Sequence, residues 1–173
     1  MKIKTLLPYK IISAAAALVF SIILVLYALK MHLTYNFSPS VPCGFYLVIA
    51  SDKDDIKTGD YVEFIPPDAF RPYLYGRGWL DDNMTITKQV GGLEGTTFCV
   101  KEGSFTVKGK YVGKVFVKDR LGLPLPVISG CRKVGAGEFL PVGNHHERSF
   151  DGRYMGAVPR KLIIGKAIPL WTM

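Results

Sequence analysis

Hydrophobic and polar positions change their period once along this chain of 173 residues. From Ile11 to Leu29 the residues are apolar or small with no charge. That is the length a helix needs to cross a hydrocarbon core of roughly 30 Å. Beyond Met31 the pattern breaks into short runs of β character divided by Gly, Pro, Asn and Asp, and no amphipathic helix period appears. Strands are predicted over residues 45–50, 61–65, 84–90, 97–101, 104–108, 111–118, 137–142 and 162–168. Lys108-Gly109-Lys110 signals a hairpin, residues 91–95 (Gly-Gly-Leu-Glu-Gly) read as a loop, and residues 66–82, rich in Pro, Tyr, Gly and Arg, read as an irregular insertion. The predicted fold is mainly β, an antiparallel sheet or partly closed barrel preceded by one N-terminal transmembrane helix.

The expected organisation is a basic N-terminus over residues 1–10, an anchor over 11–31 and a single domain over 32–173. A cleaved signal peptide is the rival reading of the apolar run, but it wants a core of about 7–15 residues and a small-x-small site. Here Lys30-Met31-His32-Leu33 follows instead, with Lys30 and Tyr35 as interfacial residues. Lys2, Lys4, Lys10 and the amino terminus precede the span and only Lys30 closely follows it, so the start is expected in the cytoplasm and the domain outside. The net charge of +8 shrinks once these four lysines are set aside, leaving 18 basic against 14 acidic residues. That balance gives no reason to expect a nucleic-acid partner; membrane lipid is the expected one.

Cys43, Cys99 and Cys131 allow one disulfide and leave one thiol. The residues do not name the pair, although Cys99 and Cys131 are favoured because both flank predicted strands. No C-x-x-C or H-x-x-x-H spacing supports a metal site with His145 and His146.

Three constellations carry candidate chemistry. In Met84-Thr85-Ile86-Thr87-Lys88-Gln89-Val90, alternation places Lys88 on the apolar side of a strand. A one-residue slip would expose every apolar neighbour to rescue one ammonium, so a desolvated Lys88 with a depressed pKa is expected. Such an amine can serve as general base toward a hydroxyl. In Asn36-Phe37-Ser38-Pro39-Ser40-Val41-Pro42-Cys43-Gly44, two prolines and a glycine impose a tight path that can present Ser40, although Ser38 and Ser40 also suit an ordinary turn. In residues 143–156, Asp151 and Arg153 can pair and Ser149 can reach the lysine. His145 or His146 could pair with Ser40 or Cys43, although adjacent histidines in such a loop are commonly solvated.

Together these pieces resemble the type I signal peptidase family, and more closely its short conjugative-transfer branch, the TraF peptidases. Ser40, Pro42, Gly44 and Tyr46 match Ser-x-Pro-x-Gly-x-Tyr. Lys88, Val90, Gly92, Leu93 and Gly95 match Lys-x-Val-x-Gly-Leu-x-Gly. Ser149, Phe150, Asp151, Arg153, Tyr154 and Gly156 match Ser-Phe-Asp-x-Arg-Tyr-x-Gly. The resemblance implies a Ser/Lys dyad with Ser40 as nucleophile and Lys88 as base. It implies an oxyanion hole made by Ser38 and Ser40, Ser149 orienting the lysine, Asp151 and Arg153 supporting, and no metal or cofactor. It further implies a bacterial inner-membrane enzyme with a periplasmic domain. Its partner would be a pilin precursor or another exported precursor, released by hydrolysis or joined end to end through the acyl-enzyme.

Ser-Val-Pro stands where signal peptidases proper have Ser-Met-x-Pro, and Gly-Asn-His-His where they have Gly-Asp-Asn-Arg. There is also no room for their large accessory β domain. A general signal peptidase I and a non-catalytic assembly subunit of a conjugation or secretion apparatus are the alternative readings.

Overall fold

A computed structural model describes residues 6–173. Lys2, Lys4 and the amino terminus, on which the expected orientation partly rests, lie outside the described residues. Helix α1 spans Leu6–Ala28 and contains a stretch, Tyr9–Ala28, apolar and long enough to cross a membrane. Its serines do not interrupt it, because the Ser13 and Ser21 hydroxyls donate back to the carbonyls of Lys10 and Ala17. The helix stops where Lys30 takes a positive φ of 51°. Strand β1, Met31–Asn36, begins at the next residue.

Among the described residues, eleven strands, β1 included, form two antiparallel sheets. β2 is Gly44–Ile49, β3 Tyr61–Phe64, β4 Ile86–Leu93, β5 Thr97–Lys101, β6 Ser104–Val107 and β7 Lys110–Lys114. β8 is Gly130–Lys133, β9 Glu138–Val142, β10 Val158–Pro159 and β11 Ile163–Thr172. The larger sheet has the order β1-β2-β11-β3-β4-β9-β10, and the smaller β7-β6-β5-β8. In the larger sheet, His32 of β1 reaches Glu63 of β3 at 2.7 Å although β2 and β11 stand between them, so the sheet curls strongly. It is a curled sheet and not a closed barrel. Phe64, Val90 and Phe139 from the larger sheet share one apolar core with Phe98 and Phe105 from the smaller.

Three differences from the sequence reading have physical causes. Gly91 and Gly92, read as loop, lie inside β4, where a bulge shifts the register against β9. A Cβ on Gly91 would come within 2.3 Å of a Val142 methyl, so that glycine serves close strand approach rather than a turn. β7 ends at Lys114 instead of running to 118, and the chain then leaves the sheet to form part of a cleft wall. β1 and β8 were not anticipated: β1 is mostly solvent-exposed on both faces, and β8 reads Gly-Cys-Arg-Lys, so neither shows an apolar period. The 66–82 insertion is largely irregular as expected, apart from a 3-10 turn at Asp68–Phe70 that runs into one α-helical turn, α2 (Arg71–Leu74).

Cys99 and Cys131 face each other across β5 and β8 and form the disulfide, leaving Cys43 free. The bridge spans 32 residues, the outlying edge of the smaller sheet. Replacing both cysteines with serine is expected to lower unfolding free energy by about 3–4 kcal/mol from restored loop entropy, read as a drop in the denaturant midpoint. An unchanged midpoint would mean the β8 edge adds little to the cooperative core.

Candidate active site

The turn holding Ser40 is built by an amide. Asn36, the buried last residue of β1, donates from Nδ2 to the carbonyls of Ser38, Val41 and Pro42 at 2.8, 3.2 and 3.1 Å, and its Oδ1 accepts from the Ser38 N–H at 3.2 Å. Tyr46, fully buried on β2, donates its hydroxyl to the same Pro42 carbonyl at 2.7 Å, and burial pushes its pKa up to about 12. Pro39 and Pro42 cannot donate to a sheet ladder, so the segment leaves β1 as a wrapped turn. Ser40 is 5% exposed, and the Ser38 hydroxyl donates to its Oγ at 3.1 Å.

Lys88 sits in the middle of β4 on the buried side with Ile86 and Val90, opposite Val62 of β3. Desolvation lowers its pKa from 10.5 to about 8, against a raising influence of Asp151 and together with a smaller lowering by Arg153. Its Nζ donates to Ser149 Oγ at 3.2 Å. Ser38, Ser40 and Lys88 all line one cleft of about 630 Å³, whose walls also include Ile86, Phe150 and Tyr154.

Behind Ser149 lies the Asp151–Arg153 pair, essentially inaccessible to solvent. Arg153 Nε donates to Asp151 Oδ1 at 2.8 Å, and its terminal nitrogens reach the carbonyls of Lys114, Glu147 and Gly143 at 3.1, 2.7 and 3.2 Å. Asp151 also caps the short helix α3 (Gly152–Met155) and accepts from the Gly143 N–H at 2.7 Å. Gly143 is thereby fixed between the two serines. A Cβ there would lie 2.0 Å from Ser149 Oγ and 3.0 Å from Ser40 Cβ, so only glycine lets the final loop close on the nucleophile turn.

The structure brings Ser38, Ser40 and Lys88 onto one cleft and places Ser149, Asp151 and Arg153 directly behind the lysine. His145 meets Ser40 only through its backbone, its N–H donating to the Ser40 carbonyl at 3.3 Å. His146 lines the cleft with its pKa lowered by burial and then by Arg120 and Lys88, and its Nδ1 accepts from the Arg148 N–H at 3.2 Å. Asn36 and Gly143 were given no role by the sequence reading. The only signals were an Asn two residues before the Ser-x-Ser pair and a Gly-Asn step closing a strand.

A serine and a desolvated lysine lining one cleft can perform acyl transfer without a histidine or a metal, which is the chemistry of the lysine-dependent serine peptidases. The chain belongs to the signal peptidase family, peptidase S26, which matches residues 6–171. It is 30% identical over 115 residues to signal peptidase I of Leptolyngbya laminosa, covering 65% of this chain and 51% of that one. Against signal peptidase I V of Bacillus subtilis (strain 168) it is 31% identical over 94 residues, covering 49% of this chain and 56% of the relative. Against the plasmid transfer protein TraF of Escherichia coli it is 29% identical over 147 residues, covering 79% and 81%. The chain thus spans about half the length of these signal peptidases and most of the length of TraF.

Proposed function

We propose that this chain is a membrane-anchored serine endopeptidase that cleaves an exported precursor at the outer face of the bacterial inner membrane, with Ser40 as nucleophile and Lys88 as general base. The observation that carries this reading is Lys88, a lysine buried on an apolar strand face that lines the same cleft as Ser40. Ser40 Oγ attacks the scissile carbonyl as Lys88 takes its proton. Ser38 and main-chain N–H groups hold the oxyanion, and the lysine then protonates the leaving amine. Ser149 keeps the amine aimed, and the Asp151–Arg153 pair keeps Ser149 in place.

The even coverage of the plasmid transfer protein favours the conjugative branch, with a pilin precursor as substrate. Water resolves the acyl-enzyme to a cleaved chain; the substrate's own amino terminus resolves it to a ring. α1 anchors the domain with its N-terminal end in the cytoplasm. A substrate held by its own apolar helix then meets Ser40 at high effective concentration.

Co-expression with a conjugative pilin precursor, followed by intact-mass measurement, tests this. Processing is expected from the wild type and none from Ser40→Ala. A product one water lighter than the linear cleaved chain would identify cyclisation. Processing by Ser40→Ala would sink the assignment, whereas Ser40-dependent cleavage of ordinary secretory precursors and not of pilin would favour a general signal peptidase.

A further inference from the structure

One wall of the cleft is a strap that Arg77 ties to the 66–82 insertion. After β7 the chain crosses to the 66–82 insertion, where Arg77 lies over the Tyr73 ring at 4.8 Å and the Trp79 ring at 5.5 Å. From there Arg77 donates to Asp119 Oδ2 at 2.6 Å and to the Pro124 carbonyl at 2.7 Å. Asp119 also accepts from the N–H groups of Leu121 and Leu123, both at 2.9 Å. Its carboxylate is therefore fully engaged, and the residue beside it, Arg120, lines the cleft.

Arg148 lines the same cleft from the final loop, one residue before Ser149. Its guanidinium sits 4.0 Å above the Phe116 ring, which Lys114 also approaches at 5.2 Å. The Phe116 N–H is held by the Tyr154 hydroxyl at 3.0 Å, so this platform is itself fixed. Among the described residues neither Arg120 nor Arg148 forms an ion pair. Among the described residues Asp119 is the only carboxylate lining the cleft, and Glu147 does not line it. The result is a cleft with two solvent-exposed guanidinium groups along its lining and no free counter-charge beside them, a local positive field that attracts an incoming anion.

The geometry points to a carboxylate-binding subsite: Arg120 and Arg148 engage a carboxylate of the polypeptide bound in the cleft, next to the bond that is cut. This rests on the reading of the cleft as a peptidase site, and it adds a charge-based element of substrate recognition to that reading. The carboxylate is an Asp or Glu side chain or the substrate's free carboxyl terminus. Guanidinium groups suit either one through paired N–H donors.

Binding separates this inference from turnover. Full-length Ser40→Ala protein in detergent is titrated with labelled short alanine-rich peptides: one with a free carboxyl terminus, its C-terminal amide, an amide-ended peptide with an internal Glu, and its Gln counterpart. A carboxylate peptide is expected to bind about tenfold tighter than its neutral counterpart, which corresponds to about 1.4 kcal/mol. That preference should fall to near unity in Arg120→Gln/Arg148→Gln and shrink as salt rises. Preference for the free terminus alone or for Glu alone identifies the source. Equal affinity for all four peptides, or a preference that survives the double substitution, overturns the subsite while leaving Ser40-dependent processing intact. Failure of every peptide to bind overturns both the subsite and the reading of the cleft beneath it.

Discussion

Lys88→Met is expected to abolish peptidase activity and at the same time to stabilise the protein. Loss of a general base that acts in concert with its nucleophile lowers kcat/KM by at least about 10⁴-fold. In the wild type, burial holds the Lys88 pKa near about 8, below its ordinary 10.5. Between those two values the unfolded chain carries a proton that the native protein does not. Stability therefore rises with pH across that window and stays at its lower level below it. At neutral pH the buried amine costs about 3 kcal/mol, since each pKa unit corresponds to about 1.36 kcal/mol. Methionine fills a similar space without that cost but leaves the Ser149 hydroxyl without its partner, a loss of about 1 kcal/mol. The net gain is about 2 kcal/mol at neutral pH; it shrinks as pH rises past about 8 and turns into a loss of about 1 kcal/mol above the ordinary lysine pKa, where only the missing Ser149 contact counts. The same titration makes wild-type kcat/KM climb about tenfold per pH unit and level off near pH 8. Denaturant midpoints and rates measured across that range check both halves. A pH-independent wild-type rate, or full activity in Lys88→Met, would remove the lysine from the mechanism.

Arg153→Ala is expected to have the largest effect on the fold. It leaves Asp151 charged, inaccessible to solvent and without its guanidinium, and it frees the carbonyls of Lys114, Glu147 and Gly143 from their shared donor. Removing one member of a buried ion pair costs about 3–5 kcal/mol because the remaining charge is stranded. Activity falls with it, since Asp151 also holds the Gly143 N–H and so the spacing between Ser40 and Ser149. The double variant Asp151→Asn/Arg153→Met should recover part of the stability, because no buried charge then remains unpaired. A double variant as unstable as the single one would show that the carbonyl contacts, and not the stranded carboxylate, dominate.

Alternation alone was enough to place Lys88 among apolar neighbours, because β4 is buried on one face and polar on the other, so register could be read directly. Ser40, Ser149, Asp151 and Arg153 stand out in the sequence as candidates, but the roles proposed for them come from the resemblance, since nothing in a turn or a glycine-rich loop fixes a side chain's direction by period. What stayed hidden depends on tertiary approach. Gly91 looks like any turn glycine until the distance to Val142 is known, and β1 shows no apolar face because most of it stays in solvent. Asn36 is similar: its amide gathers three carbonyls that converge only after the chain has turned.

The joint between α1 and β1 is two residues long, and the Ala50 N–H reaches back to the Lys30 carbonyl at 3.3 Å. There is no slack between the helix and the strand whose last residue shapes the Ser40 turn. With α1 in the bilayer as proposed, the height of the cleft above the membrane surface is set by the six residues of β1, roughly 20 Å of extended chain. Selection of the bond to be cut then has a vertical component independent of the side chains around it. A substrate must offer its scissile bond at that altitude, and lengthening the joint would redirect the cut while leaving every residue of the site unaltered.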